Sequence, residues 1–130
     1  MKIHKIINLI AFENTYILEN NQGLLVVDPG SDWKKIERKL EELAKPVIAI
    51  LLTHTHYDHI MSLEKVREHY AAPPVYVAES ESSWLYTPTD NLSGLARHAD
   101  LDDIICRPAE EYFSYETDYD LGGFRFCFLA

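Results

Sequence analysis

Leu51-Leu52-Thr53-His54-Thr55-His56-Tyr57-Asp58-His59-Ile60 is the stretch that decides how this chain folds. An apolar run, Val47 to Leu52, leads into four metal-capable side chains within six residues. A helix-period pattern follows at Ile60, Leu63, Val66 and Tyr70. The stretch predicts a strand that stops, a loop full of ligands and a helix that starts. Regular elements on both sides keep a short connection stiff, and metal sites depend on that stiffness.

Side chains alternate along an extended segment, so His54, His56 and Asp58 are expected on one side. His59 falls where the backbone turns into the helix and swings toward the same point. Three imidazoles and a carboxylate suit zinc, and also iron or manganese. His54 and His56 can share one ion. Asp58 and His59 can serve a second ion about 3.5–4 Å away, where a shared hydroxide would form near neutral pH. Each residue alone has a plainer reading. Asp58 is a good helix N-cap, and single histidines are mostly surface or core groups. Four together in six residues are what point to metal, whereas His4, His69 and His98 stand alone and read as non-ligands.

Outward from this stretch, Lys2 to Ile10, Asn14 to Glu19 and Leu24 to Val27 read as strands of a meander. Asp28-Pro29-Gly30-Ser31 breaks the third strand, and Ser31 or Asp32 can cap a helix. Trp33, Ile36, Leu40 and Leu43 form its apolar stripe, and Pro46 ends it. Val47 to Thr53 reads as a central strand, followed by a second helix from about His59 to Tyr70 and a strand at Val75 to Ala78. The middle of the chain is thus β-α-β-α-β, an α/β (α+β) pattern with helices covering a sheet. Glu79 to Leu85 reads as a short helix and Thr87 to Asp100 as mostly irregular. Ile104 to Arg107 is expected to be a strand, and Glu116 to Asp120 with Phe124 to Leu129 a hairpin. The apolar close, Phe124 to Ala130, reads as a strand cut short.

A chain of 130 residues reads as a single domain, 1–130, here incomplete at its C-terminal end. Its 47% hydrophobic and 25% charged residues are those of an ordinary globular protein. The net charge of -9 argues against a general nucleic-acid binder, which carries a basic face. No apolar stretch approaches the ~20 residues that span a bilayer, and no signal peptide is evident, so a cytoplasmic setting is expected. Cys106 and Cys127 fit neither a metal clip nor a redox pair.

His54-Thr55-His56-Tyr57-Asp58-His59 resembles the HxHxDH signature of the metallo-β-lactamase-fold hydrolases. Val26-Val27-Asp28-Pro29-Gly30 resembles that family's Asp-containing turn, which buttresses the ligand loop. Asn91-Leu92-Ser93-Gly94 resembles a segment of small bacterial hydroxyacylglutathione-hydrolase-like (glyoxalase II-like) members. The resemblance implies an αββα sandwich, of which this chain is mainly the N-terminal half. It implies that His54 and His56 bind a first Zn2+ and Asp58 and His59 a second, with Asp58 orienting the nucleophile. The substrate implied is a small acyl thioester or ester.

Two departures qualify it. The family's third histidine on the first metal, its bridging aspartate and its late histidine have no counterpart here. Each ion is left with two protein ligands, fewer than the three usual for catalytic zinc. Met61 and Ser62 stand where the family often carries two glycines, which alters helix packing near the site or the pocket rim. His56 stands where a redox di-iron branch carries Glu, which favours hydrolysis. Two other readings compete. One is a non-catalytic, truncated module that self-associates through an unfinished sheet. The other is a metal-dependent phosphodiesterase or nuclease, disfavoured by the acidic balance.

Overall fold

The computed structural model describes residues 1–95, 98 and 100–129. Part of the expected irregular stretch, at residues 96, 97 and 99, lies outside them, as does Ala130 at the end of the expected last strand. Six strands form one mixed sheet in sequence order: β1 (Lys2–Ile7), β2 (Asn14–Glu19), β3 (Leu24–Val27), β4 (Val47–Leu51), β5 (Val75–Ala78) and β6 (Glu111–Phe113). The first three strands run antiparallel, and β3 to β6 run parallel. The parallel part requires crossovers, supplied by α1 (Trp33–Leu43) between β3 and β4 and by α2 (Tyr57–Ile60) and α3 (Leu63–His69) between β4 and β5.

Strand β4 is buried on both faces, as a central parallel strand must be. On one face Ile50 and Leu52 join Ile17, Val26, Val75 and Val77 of neighbouring strands, under Ile36 and Leu40 of α1 and Leu63 and Val66 of α3. On the other face Ala49 and Leu51 join Leu25 beneath a second, two-stranded sheet, β7 (Tyr119–Leu121) and β8 (Phe124–Phe126). Helices cover one side and strands the other, an αββ stack. The pairing of β3 with β4 slips by one residue at Ile48. Ile48 thereby projects toward the β7–β8 turn, where Gly122 (φ +53) leaves room for it; a Cβ there would collide with Ile48 Cδ1.

Helix α1 has the predicted bounds, but its start is held differently. Asp32 occupies the N-cap without capping through its side chain. Its carboxylate instead accepts from Leu9 N–H at 2.8 Å, and Ser31 Oγ accepts from Ile10 N–H at 3.2 Å. The helix stops at Ala44 in the left-handed region (φ 53), before Pro46 is reached.

Three expectations are corrected. The single helix from His59 to Tyr70 is two helices, because Ser62 N–H leaves the helical ladder to donate to Pro29 O at 3.0 Å. Its hydroxyl donates to Gly30 O at 2.5 Å. Ile104 to Arg107 is not a strand. Its N–H groups go to Ser93 Oγ, Leu85 O and Glu64 Oε1, and the sixth strand forms later, at Glu111–Phe113. Pro88–Asn91 forms a short helix, α4, inside the stretch expected to be irregular. Lys5, Lys35, Arg38 and Lys39, dispersed in sequence, line one groove with Glu42. Lys35 and Lys39 there face Asp32 and Glu42. No described helix is long and apolar enough to cross a membrane.

Candidate metal centre

The signature residues sit where β4 ends and α2 begins. The extended backbone runs only to His56, which takes the N-cap of α2 (φ -71, ψ 156). Asp58 therefore lies on the first helical turn, not in an extended segment and not at the N-cap. The alternation argument holds for His54 and His56 only. Their rings are near parallel, 14° apart in tilt, with centroids 6.4 Å apart. The His59 ring stands edge-on to His54 at 5.3 Å. His59 Nε2 lies 3.6 Å from Asp58 Oδ2. The three imidazoles and the carboxylate thus lie along one strand end as a His-His leg and an Asp-His leg, although no three of their ligand atoms fall within 4.8 Å of one another.

The Asp-His leg is supported from behind by Asp28. This residue is 5% exposed and holds a left-handed backbone (φ 53), which Asp and Asn tolerate better than most side chains. Its Oδ1 accepts from Thr53 N–H at 2.7 Å, and its Oδ2 accepts from Thr53 Oγ1. The same Oδ2 lies 3.0 Å from His59 Nδ1. The N–H points off the line to that oxygen, so the contact is a bent, charge-assisted one. A carboxylate beside Nδ1 favours the proton on that nitrogen and leaves Nε2, which faces Asp58, as the nitrogen with a free lone pair. This geometry suits the donor set to a divalent cation. Burial alone would lower the His59 pKa, but the hydrogen bond and charge of Asp28 and the charge of Asp58 outweigh it and raise it.

Sequence reasoning missed Glu13. Among the described residues, the His, Cys, Asp and Glu group whose ligand atoms all fall within 4.8 Å of one another is Glu13, Asp28 and His59. Glu13 Oε2 accepts from Asn8 Nδ2 at 2.9 Å, while Oε1, 3.8 Å from His59 Nδ1, has no hydrogen-bond partner. Burial, reinforced by Asp28 and Asp58 and opposed by His59, pushes this carboxyl up to about 8. A neutral acid is the form that tolerates an unpartnered buried oxygen. The cluster faces inward, against the Nδ1 side of His59, and so stands behind the ligand patch.

Gly30 completes that support. Its N–H donates to Thr15 Oγ1 at 3.0 Å, and Thr15 Oγ1 donates to Asp28 O at 2.8 Å. A Cβ on Gly30 would lie 2.6 Å from Asn8 Nδ2 and would collide with Glu13 Oε2. Gly30→Ala is expected to cost about 1–3 kcal/mol, the range for overpacking a filled interior. A thermal melt of the variant against wild type checks it.

The His-His leg is held by other residues. Thr55 is fully buried. Its N–H donates to Glu81 Oε1 at 3.1 Å, and its hydroxyl lies 3.1 Å from both Glu81 Oε1 and Glu81 O. Glu81 belongs to a 3-10 helix, Glu79–Tyr86, where a short helix was expected. Trp84 of the same segment stacks on His56, with centroids 5.3 Å apart and planes 11° apart. The Asn91-Leu92-Ser93-Gly94 segment fastens this helix from behind. Buried Asn91 donates to Trp84 O at 2.8 Å and Ile104 O at 2.9 Å.

The family model of the Metallo-beta-lactamase superfamily matches residues 11–122. A protein of Streptococcus pyogenes described as a probable metallo-hydrolase is 54% identical over 129 residues, which cover 99% of this chain and 56% of that one. The probable metallo-hydrolase YqgX of Bacillus subtilis is 34% identical over 112 residues, 86% of this chain and 51% of its own. The crystal structure of the B3 metallo-beta-lactamase BLEG-1 superposes with a TM-score of 0.84 at 29% identity, covering 97% of this chain and 59% of that chain. The chain spans a little over half the length of the curated relatives it matches. By its ligand patch, its αββ stack and these matches, the chain belongs to the metallo-beta-lactamase superfamily.

Proposed function

We propose that the whole protein is a metal-dependent hydrolase of small acyl thioesters or esters, with His54 and His56 holding one cation and Asp58 and His59 another. The observation that carries this reading is the patch itself: three imidazoles and a carboxylate gathered at one strand end, with His59 Nε2 turned toward Asp58 and Nδ1 toward Asp28. Zinc is the cation this N- and O-donor set suits best. When bound, it would polarise the scissile carbonyl and make water nucleophilic near neutral pH. Asp58 orients the attacking water and takes its proton on a carboxylate oxygen. Asp28 holds His59 in one tautomer throughout. Hydrolysis consumes one water and releases a carboxylic acid and a thiol or alcohol.

The thioester part of the reading is supported by hydroxyacylglutathione hydrolase GloC of Haemophilus influenzae, 24% identical over 128 residues. The test uses the purified chain, alone and joined to the part of the Streptococcus pyogenes relative beyond the matched region. After zinc loading, thioester turnover is expected, and His56→Ala is expected to lower it more than about 100-fold. Even residues behind metal ligands are worth 10–100-fold, so a ligand is worth more. A zinc-loaded protein inert toward thioesters and esters would refute the proposal.

A further inference from the structure

We propose that the 3-10 helix Glu79–Tyr86 is a clamp on the His54-Thr55-His56 leg, with Glu81 and Trp84 as its positioning residues. The inference rests on the metal reading above and names what presets the first half-site. Glu81 and Trp84 are three residues apart, and in a 3-10 helix such residues eclipse one another on one face. That face meets the ligand leg twice. Glu81 takes the N–H of Thr55 and sits against its hydroxyl, which fixes the backbone between the two histidines. Trp84 lies flat on the His56 ring and restricts its rotation. The clamp is itself fastened, since Asn91 and Thr87 N–H both donate to Trp84 O.

An imidazole held before the ion arrives loses less freedom on binding, so affinity rises without any new ligand. The other leg is supported by Asp28 and Glu13, and among the described residues no hydrogen bond or ring contact joins Asp58 or His59 to Glu81 or Trp84. The clamp therefore acts on one half-site alone, and that selectivity is its signature.

The experiment follows the histidine ring protons of the 130-residue chain by NMR, first metal-free and then during titration with Zn2+. In the metal-free chain the ring current of Trp84 shifts the His56 ring protons upfield, and Trp84→Ala removes that shift. On titration, Trp84→Ala raises the Zn2+ concentration at the midpoint for His54 and His56 about tenfold. Trp84→Phe, which keeps an aromatic face, returns most of it, and Glu81→Gln gives an intermediate loss. His59 titrates as in wild type throughout, and unchanged His4 and His69 signals show that the fold is kept. A Trp84→Ala midpoint within twofold of wild type overturns the clamp alone. A wild-type chain whose histidines ignore Zn2+ overturns the metal reading and the clamp with it.

Discussion

Asp28→Asn is expected to weaken zinc binding at the Asp58–His59 leg by about 10–100-fold while leaving the fold nearly intact. The exchange is isosteric, and asparagine tolerates the left-handed backbone that Asp28 adopts at φ 53. Its carbonyl can still accept from Thr53 N–H, the contact now made at 2.7 Å. Its amide can then donate to Thr53 Oγ1, reversing the direction of that bond. The same amide faces His59 Nδ1, where a carboxylate oxygen stands at 3.0 Å in the wild type. Two N–H donors cannot face each other, so the imidazole proton moves to Nε2. That nitrogen is the one turned toward Asp58, and a protonated nitrogen cannot ligate. Trading a carboxylate for an amide behind a working histidine selects the wrong tautomer in this way. Asp28→Ala goes further and leaves Thr53 N–H without its acceptor, for a stability cost of about 1–3 kcal/mol. Zinc competition against a chelator, with nitrogen chemical shifts of His59 read alongside, measures both effects. An Asp28→Asn variant that binds zinc as tightly as wild type, with the proton still on Nδ1, would remove Asp28 from the centre.

The contrast between Asp28 and Glu13 shows what a sequence can disclose about such a site. Asp28 is visible because it closes an apolar strand and begins a Pro-Gly turn, a local pattern. Glu13 follows Phe12 with no pattern of its own. Only antiparallel pairing of β1, β2 and β3 brings it beside Asp28 and His59. The same holds for Glu81 and Trp84, which reach the ligand leg across 26 and 28 residues of chain. Helix α1 was legible along its length, though not in how its ends are held, because its stripe has the helical period over three turns. The break at Ser62 was not, because it depends on Pro29 and Gly30 carbonyls from another turn. The sixth strand was misplaced for a related reason. Glu111-Tyr112-Phe113 has too few residues to show a period, and its pairing with Tyr76 to Ala78 defines it.

Arg67→Ala is expected to destabilise the protein by about 2–4 kcal/mol. Arg67 is not part of the apolar stripe Ile60, Leu63, Val66 and Tyr70, yet its side chain is 3% exposed. Nη1 donates to Glu64 Oε1 at 2.5 Å and Arg107 O at 2.8 Å, and Nη2 donates to Pro108 O at 2.6 Å and Glu110 Oε2 at 3.2 Å. This fork ties α3 to the segment that leads into β6, and Glu110 in turn accepts from Val75 N–H at the start of β5. Truncation strips two carbonyls of their donors and leaves partly buried carboxylates facing one another. The estimate stays below the cost of breaking a fully buried pair because Glu64 and Glu110 keep 29% and 49% of their side-chain exposure. Arg67→Lys keeps the charge but not the fork, and recovers less than half of the loss. The pH dependence separates the ionic part. Burial would raise the Glu64 pKa, but the hydrogen bonds and charges of Arg67 and Arg107 outweigh it and hold it below its ordinary 4.5. A carboxyl depressed in the folded state contributes stability above its unfolded pKa and loses it as pH falls through the folded value. The gap in melting temperature between wild type and Arg67→Ala, roughly 10 °C at pH 7, should therefore narrow as pH drops below about 4.5. A gap that stays constant from pH 7 to pH 3 would mean that the carbonyl bonds alone hold this corner.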